Sequence, residues 1–301
     1  MKPVNGTVYG SEGGIYRVRL GSGDMVDASL RGRLKREART GDKVVIGDRV
    51  GVVTKPDGTS TIEEVAERDS EVVRRGPGGR RAKVIAANLD RLVVVAAAAR
   101  PEPRQVLLDR LMVVGESNDL DLALVMNKVD LDRGHSQVLC DLYRGVGYRV
   151  LETSAVTGEG LEALEGLLST GTAALVGPSG VGKSTLLNAI QPDLGLRTGE
   201  LSHKEGRGRH TTVSARLIPL RCGGLVADTP GFSDVGVWGV DQRTLERCFP
   251  EFHPHREECQ FRGCSHLHEP NCGVQAALAR GEINEARFGS YRVLVEEAGG
   301  S

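Results

Sequence analysis

Aromatic residues are scarce in this chain: they make up 4% of its 301 positions, with a single tryptophan, Trp238. Cysteine is scarce too, and six in a chain this long are too few for a disulfide framework. No run approaches the roughly 18 unbroken apolar residues of a membrane-crossing helix, and Met1-Lys2-Pro3 leads into polar residues rather than a signal-type apolar segment. A cytoplasmic protein with no membrane partner is expected. Net charge is close to absent, at −1, but it is spread unevenly. Residues 1–50 hold ten Lys and Arg against six Asp and Glu, residues 68–83 six against two, and residues 197–216 five against two. Basic surface offset by acidic surface elsewhere fits a polyanion such as RNA.

What is present suffices for a real core and for two or three domains, with 39% hydrophobic and 26% charged residues. Up to about Asp69, short β-rich runs at 6–10, 15–20, 42–46, 49–53 and 61–65 are broken by glycine turns. Five short strands at close spacing predict an all-β barrel, with the OB-fold as the natural form. Its few aromatics, Tyr9 and Tyr16 among them, favour RNA binding through shape and backbone charge over base stacking. Arg74-Arg75-Gly76-Pro77-Gly78-Gly79-Arg80-Arg81 reads as a basic linker. Beyond it, apolar runs at 92–98, 122–126, 149–151, 173–176, 216–220 and 225–227 alternate with helical patterns at 106–115, 137–146 and 161–168. That alternation predicts a doubly wound α/β sheet. The expected division is an OB-type domain over 1–70, a linker over 71–81, an α/β domain over 82–236 and a metal-binding module over 237–301.

Gly177-Pro178-Ser179-Gly180-Val181-Gly182-Lys183-Ser184 follows one apolar strand and opens a helix at Thr185, the context a phosphate-cradling loop requires. Its glycines let backbone N–H groups converge on phosphate, Lys183 reaches the β and γ phosphates, and Ser184 offers its hydroxyl to Mg2+. Asp228-Thr229-Pro230-Gly231 ends another strand, where Asp228 can hold Mg2+ and the Gly231 N–H can meet the γ-phosphate. Asn127-Lys128-Val129-Asp130 caps a third. A carboxylate placed as Asp130 accepts both N–H donors of guanine, whereas adenine leaves it buried and unpaired. The Lys128 stem lies along the purine face, Asn127 ties the loop to the phosphate site, and Thr153-Ser154-Ala155 supplies backbone contacts to the base. Ordinary GTPases carry these motifs in the opposite order. The chain therefore reads as a circularly permuted α/β P-loop GTPase that binds GTP or GDP with Mg2+.

Gly206-Arg207-Gly208-Arg209-His210-Thr211-Thr212 stands where a switch must stand, and a threonine there completes the Mg2+ shell while the γ-phosphate is present. Thr212 is preferred to Thr211. Phe232 begins the region where many GTPases place a water-orienting glutamine, so slow intrinsic hydrolysis and a partner that completes the site are expected. His210 is the one nearby imidazole, and it fits water positioning as well as contact with phosphate or RNA.

Cys259, Cys264 and Cys272 fall within fourteen residues, together with His266. Three thiolates and one imidazole make a closed tetrahedral set suited to one structural Zn2+. His253, His255 and His268 rival His266 for the nitrogen ligand, whereas Cys140, Cys222 and Cys248 read as ordinary core thiols. Trp238, Leu245, Phe249 and Phe252 are expected to pack this module onto the GTPase domain.

Taken together, the barrel, the permuted motif order, Gly208-Arg209-His210-Thr211-Thr212, Asp228-Thr229-Pro230-Gly231-Phe232 and the cysteine-histidine knuckle resemble the ribosome small subunit-dependent GTPase A family (RsgA/YjeQ). Glu269-Pro270-x-Cys272, Gly281-Glu282-Ile283 and Ser290-Tyr291-x-x-Leu294 extend the resemblance into the tail. It implies a cytoplasmic GTPase that binds the small ribosomal subunit and its rRNA late in assembly. There it is stimulated by the subunit and uses GTP to release itself or another assembly factor; a monomer is expected. Departures are slight: Arg91 stands where the family commonly has glutamine, and Gly263 and Asn271 replace an acidic residue and a glycine in the knuckle. A catalytic His210 predicts that His210→Ala lowers partner-stimulated GTP turnover by about 100-fold or more; equal rates in variant and parent remove it from the mechanism.

Overall fold

The computed structural model describes residues 3–32, 34, 44–75, 82–196, 215–229, 240 and 242–299. By their contacts the chain divides into two compact units, Met1–Arg91 with Glu165–Leu175 and Gly199–Val235, and Leu92–Leu164 with Val176–Thr198 and Gly236–Ser301.

In the first unit, β1 (Val4–Glu12), β2 (Ile15–Leu20), β3 (Met25–Leu30), β4 (Arg49–Thr54) and β5 (Ser60–Val65) close into a barrel. The strand order is β1-β2-β3-β5-β4, β4 returns to pair with β1, and β3–β5 is the parallel pairing. Alternation decides what points inward: Tyr16 and Val18 of β2 are buried between exposed Ile15, Arg17 and Arg19. They join Val8, Leu30, Val50, Val52 and Ile62 in one apolar cluster.

Two local readings differ from the sequence pattern. Met25–Leu30 is a strand although Asp27 and Ser29 dilute its apolar character; Ala28 and Leu30 alone are buried there. Conversely, residues 44–46 form no strand and make one isolated bridge, Ile46 with Ala86. The Asp48 carboxylate accepts the Val45 N–H at 2.7 Å, and Gly47 adopts a left-handed φ of 87°, so the chain turns there instead of extending. A side chain on Gly47 would place its Cβ 1.9 Å from Ala87 O. The basic stretch begins inside a hairpin, with β6 (Glu71–Arg75) antiparallel to β7 (Ala82–Ala87), and residues 76–81 lie outside the described residues.

The remaining strands follow the apolar runs closely: β8 (Arg91–Ala97), β9 (Asp121–Asn127), β10 (Arg149–Glu152), β11 (Thr172–Val176), β12 (Arg216–Pro219) and β13 (Leu225–Asp228). Leu92 to Ala97 are each at most 1% exposed, as a strand covered on both faces must be. Parallel pairing joins β9 with β10, and β11 with β13, while β12 runs antiparallel to β13. Helices α1 (Gln105–Glu116), α2 (Arg133–Val146), α3 (Leu161–Leu168) and α4 (Lys183–Ile190) alternate with these strands.

The end of the chain adds α5 (Gln242–Arg247), a 3-10 stretch over Pro250–Glu258, α6 (Gly273–Ala279) and α7 (Glu285–Gly299). Leu245, Phe249 and Phe252, all fully buried, pack with Tyr291 and with Val113 of α1, as expected of that apolar group. Trp238 lies outside the described residues. At the heart of this packing Arg287 is 1% exposed, yet charged. Its guanidinium holds both Glu251 carboxylate oxygens at 2.7 and 2.9 Å and also donates to Asp109, which accepts the Tyr143 hydroxyl at 2.6 Å. The Phe249 ring lies 4.7 Å from the guanidinium carbon. Removing one partner of so buried a set leaves charge stranded in apolar surroundings. Arg287→Ala should therefore cost about 3–5 kcal/mol in chemical unfolding. Arg110→Ala, which breaks a pair with half-exposed Glu297, should cost about 1 kcal/mol or less.

Candidate nucleotide and metal sites

Two loops distant in sequence meet within the second unit. Asn127 is 1% exposed at the end of β9, and its Nδ2 donates to Val181 O at 2.8 Å. Gly182 has φ of 100° and forms the N-cap of α4; a Cβ there would stand 2.3 Å from Asn127 Nδ2. The approach of the asparagine is thus possible only because position 182 lacks a side chain. Asn127 Oδ1 in turn faces the buried Thr153 hydroxyl at 3.3 Å, which fixes the amide orientation. Lys128, at a left-handed φ of 61°, lays its stem across the gap and donates from Nζ to Gly180 O at 2.6 Å and to Arg100 O. Burial lowers its pKa, opposed by Asp130.

Gly177 also has a steric reason: at φ of 146°, its Cβ would stand 2.2 Å from Val95 O. Lys183 at the start of α4 folds back, donating from Nζ to Gly177 O at 2.7 Å and Pro178 O at 3.0 Å. Burial pulls its pKa down to about 8. Ser184 and Thr185 follow in the first helical turn. Asp130 is exposed at the end of its loop. Ser154 is buried in a tight turn: its N–H donates to Glu159 O at 3.0 Å and its hydroxyl accepts from Thr157 N at 3.1 Å. Arg133, opening α2, grips both Glu159 oxygens at 2.6 and 2.7 Å and so links the Asp130 side to the Ser154–Ala155 turn.

In the first unit, Asp228 ends β13, and its Oδ2 lies 3.2 Å from Arg216 Nε, its cross-strand neighbour. Both side chains are about half exposed, so this pair is weak and readily displaced. His210, Thr211, Thr212, Pro230, Gly231 and Phe232 lie outside the described residues.

The second cluster is compact. Ligand atoms of Cys259, Cys264, His266 and Cys272 all lie within 4.8 Å of one another. Cys259 and Cys272 sulfurs are 3.8 Å apart, far beyond a disulfide bond. That is the edge of a tetrahedron with bonds of about 2.3 Å, the zinc–thiolate length. His266 Nδ1 stands 3.3 Å from Cys272 Sγ and 3.6 Å from Cys259 Sγ. The rival imidazoles are elsewhere: His253 Nε2 meets Arg247 O, His255 faces Glu282, and His268 is exposed. Cys272 also caps α6, its sulfur accepting the Gln275 N–H at 3.4 Å. Cys140 and Cys248 are buried free thiols, and Cys222 is half-buried. Arg133, Arg216 and Glu246 beside His266 were not among the expected site residues, and Thr153 was expected only for backbone contacts to the base; each side chain meets a neighbour distant in sequence, so no local motif marks the contact.

The sequence profile of the RsgA GTPase family matches residues 65–238, more than half of the chain. Curated relatives named small ribosomal subunit biogenesis GTPase RsgA include that of Gemmatimonas aurantiaca, 44% identical over 98% of this chain and 97% of its own length. That of Moorella thermoacetica is 40% identical over the same shares. Among solved structures, YjeQ from Thermotoga maritima superposes with a TM-score of 0.81 at 31% identity, each chain covered completely. YloQ, described as a circularly permuted GTPase, superposes at 0.76 and 31% identity over 99% of this chain and 95% of its own. The reversed order of guanine and phosphate motifs, joined here by Asn127, is thus a circular permutation inherited with the fold: the chain belongs to the RsgA GTPase family and is a GTP hydrolase.

Proposed function

We propose that this GTPase binds the small ribosomal subunit during its maturation and hydrolyses GTP when the subunit stimulates it, so that it or another assembly factor is released. The observation that carries the nucleotide half of this reading is the hydrogen bond from Asn127 Nδ2 to Val181 O, which joins the base-reading loop to the phosphate loop. The relatives' names and the basic segments of this chain support the subunit as partner, with rRNA phosphates as the contact. The barrel, with the strand order of an OB-fold, is the first RNA-binding element, and no helix among the described residues is long and apolar enough to cross a membrane.

In this reading Asn127, Lys128, Val129 and Asp130 hold guanine with Ser154 and Ala155, and Gly177 to Thr185 hold the phosphates. Lys183 exchanges its loop carbonyls for phosphate oxygens. Mg2+ takes Ser184, Asp228 and Thr212 as protein ligands, Asp228 leaving Arg216 to do so, and Gly231 senses the γ-phosphate. Cys259, Cys264, His266 and Cys272 hold one structural Zn2+, whose closed ligand set offers folding energy and no position for a reacting water. The protein acts as a cytoplasmic monomer.

GTP turnover measured with and without purified small subunits, across a salt series, tests the assignment. Stimulation that weakens steeply with salt is expected, because each neutralised phosphate releases a counterion; turnover unchanged by subunits removes the ribosomal assignment. Lys183 makes a second outcome measurable. Its ammonium loses a proton as pH rises through about 8, whereas phosphate keeps it charged, so binding above that pH must take up a proton. Nucleotide affinity should stay level below pH 8 and fall by about fivefold between pH 8 and pH 9, with the fall absent in Lys183→Met by titration calorimetry.

A further inference from the structure

His266 presents its two ring nitrogens to different surroundings, and the difference assigns a role to Glu246. Nδ1 faces the sulfurs of Cys272 and Cys259. Nε2 points the other way, is buried, and makes no well-formed hydrogen bond; the group facing it is Glu246 Oε1 at 3.3 Å. Glu246 lies on α5, 9% exposed. The same Oε1 takes Arg256 Nε at 2.7 Å. We infer that Glu246, held by Arg256, is a positioning residue for the metal centre: it keeps the His266 proton on Nε2, so that Nδ1 is the nitrogen that binds zinc. The inference rests on the zinc reading of the four-residue cluster given above.

A neutral imidazole carries one N–H, and the ring chooses between two tautomers. With the proton on Nε2, a donor faces a carboxylate and a lone pair faces the two thiols. The opposite tautomer sets a buried lone pair against a carboxylate oxygen and points an N–H at the metal position, so two contacts turn repulsive together. Backbone and packing fix the ring in this pose: His266 has a left-handed φ of 60°, its carbonyl accepts from Gln275 Nε2 at 3.1 Å, and Phe252 meets the ring edge-on at 5.9 Å between centroids. Charge balance explains Arg256. Zinc with three thiolates and an imidazole carries one net negative charge, and a second carboxylate beside it would repel that centre. The guanidinium offsets it and holds Oε1 in place as an acceptor. Carboxylates in this relation to a ligating histidine raise its basicity, and their loss typically weakens metal binding about 10–100-fold.

The full-length protein, loaded with zinc, tests this in two ways. Chelator competition should show zinc held about 10–100-fold less tightly in Glu246→Met, which keeps length but has no acceptor, and a smaller loss in Glu246→Gln, whose amide oxygen still accepts. Nitrogen-15 spectra of the unmodified protein should show a protonated Nε2 and a metal-bound Nδ1 at His266, a readout that general loss of packing does not mimic. Equal zinc affinity in Glu246→Met and parent, or ligation through Nε2, overturns the role given to Glu246 while leaving the zinc site intact. If Glu246→Met does not fold, the spectra of the parent decide alone. A parent that takes up no zinc removes the zinc reading itself, a result distinct from either of these.

Discussion

The contact between Asn127 and the backbone of Val181 is the constraint on which the nucleotide site depends. It spans 54 residues of sequence, is made by an almost wholly buried amide, and requires that position 182 carry no Cβ. A buried amide left without its partner costs about 1–3 kcal/mol, so the two loops are held together even before any ligand bridges them. Lys128 adds a second tie across the same gap, to Gly180 and Arg100. The loops proposed to hold base and phosphate are consequently parts of one rigid frame, and under that proposal guanine selection by Asp130 would translate into placement of the triphosphate tail.

Chain order becomes irrelevant once this frame exists. Strand ends are brought together by sheet pairing, and pairing is indifferent to which strand was made first. What permutation does change is which segment leaves the site last. In this chain the Asp228 strand is followed, after residues outside the described set, by α5 and the cysteine cluster, so the proposed nucleotide-sensing end of the polypeptide is joined covalently to the module that carries the cysteine-histidine cluster. The module is also tied to α1 through Val113 and through the Arg287–Asp109 ion pair. Its position is therefore referenced to the same unit that carries Asn127-Lys128-Val129-Asp130.

Much of this was legible in the sequence, for a physical reason. The glycines of the phosphate-loop motif are required by backbone conformation at Gly177, Gly180 and Gly182, and such requirements are local. Apolar runs such as 92–97 mark doubly covered strands because no polar residue can be accommodated in them. The cysteine spacing likewise limits itself to a compact cluster. What stayed hidden is long-range: the Thr153 hydroxyl contact with Asn127, Arg133 with Glu159, and Arg216 with Asp228 are not visible as a pattern along the chain. The choice among His253, His255, His266 and His268 depended on ring direction, which spacing alone leaves open. The strand Met25–Leu30 was hidden because Asp27 and Ser29 interrupt its apolar pattern on the face away from the core, where Ala28 and Leu30 are buried and Val26 packs against them.

Buried charge in the C-terminal module follows from its size. Residues 242–299 are too few to bury a sufficient apolar core alone, and segments this small usually depend on a metal, a disulfide or a neighbouring domain. Here α1 is such a neighbour and the cysteine-histidine cluster is a candidate metal site, and buried ion pairs stand beside both. The Arg287 set borrows Asp109 from α1, while the Glu246–Arg256 pair serves the cysteine-histidine cluster. An ion pair in such a position adds little net stability compared with well-packed apolar residues, but it tolerates only one arrangement of its partners. Apolar contacts between Phe249, Phe252 and Tyr291 could be satisfied by several packings of α7. Arg287, bound by Glu251 on one side and Asp109 on the other, admits one, and that is how a module with so small a core keeps a fixed orientation toward α1, the helix beside the strand that ends in Asn127.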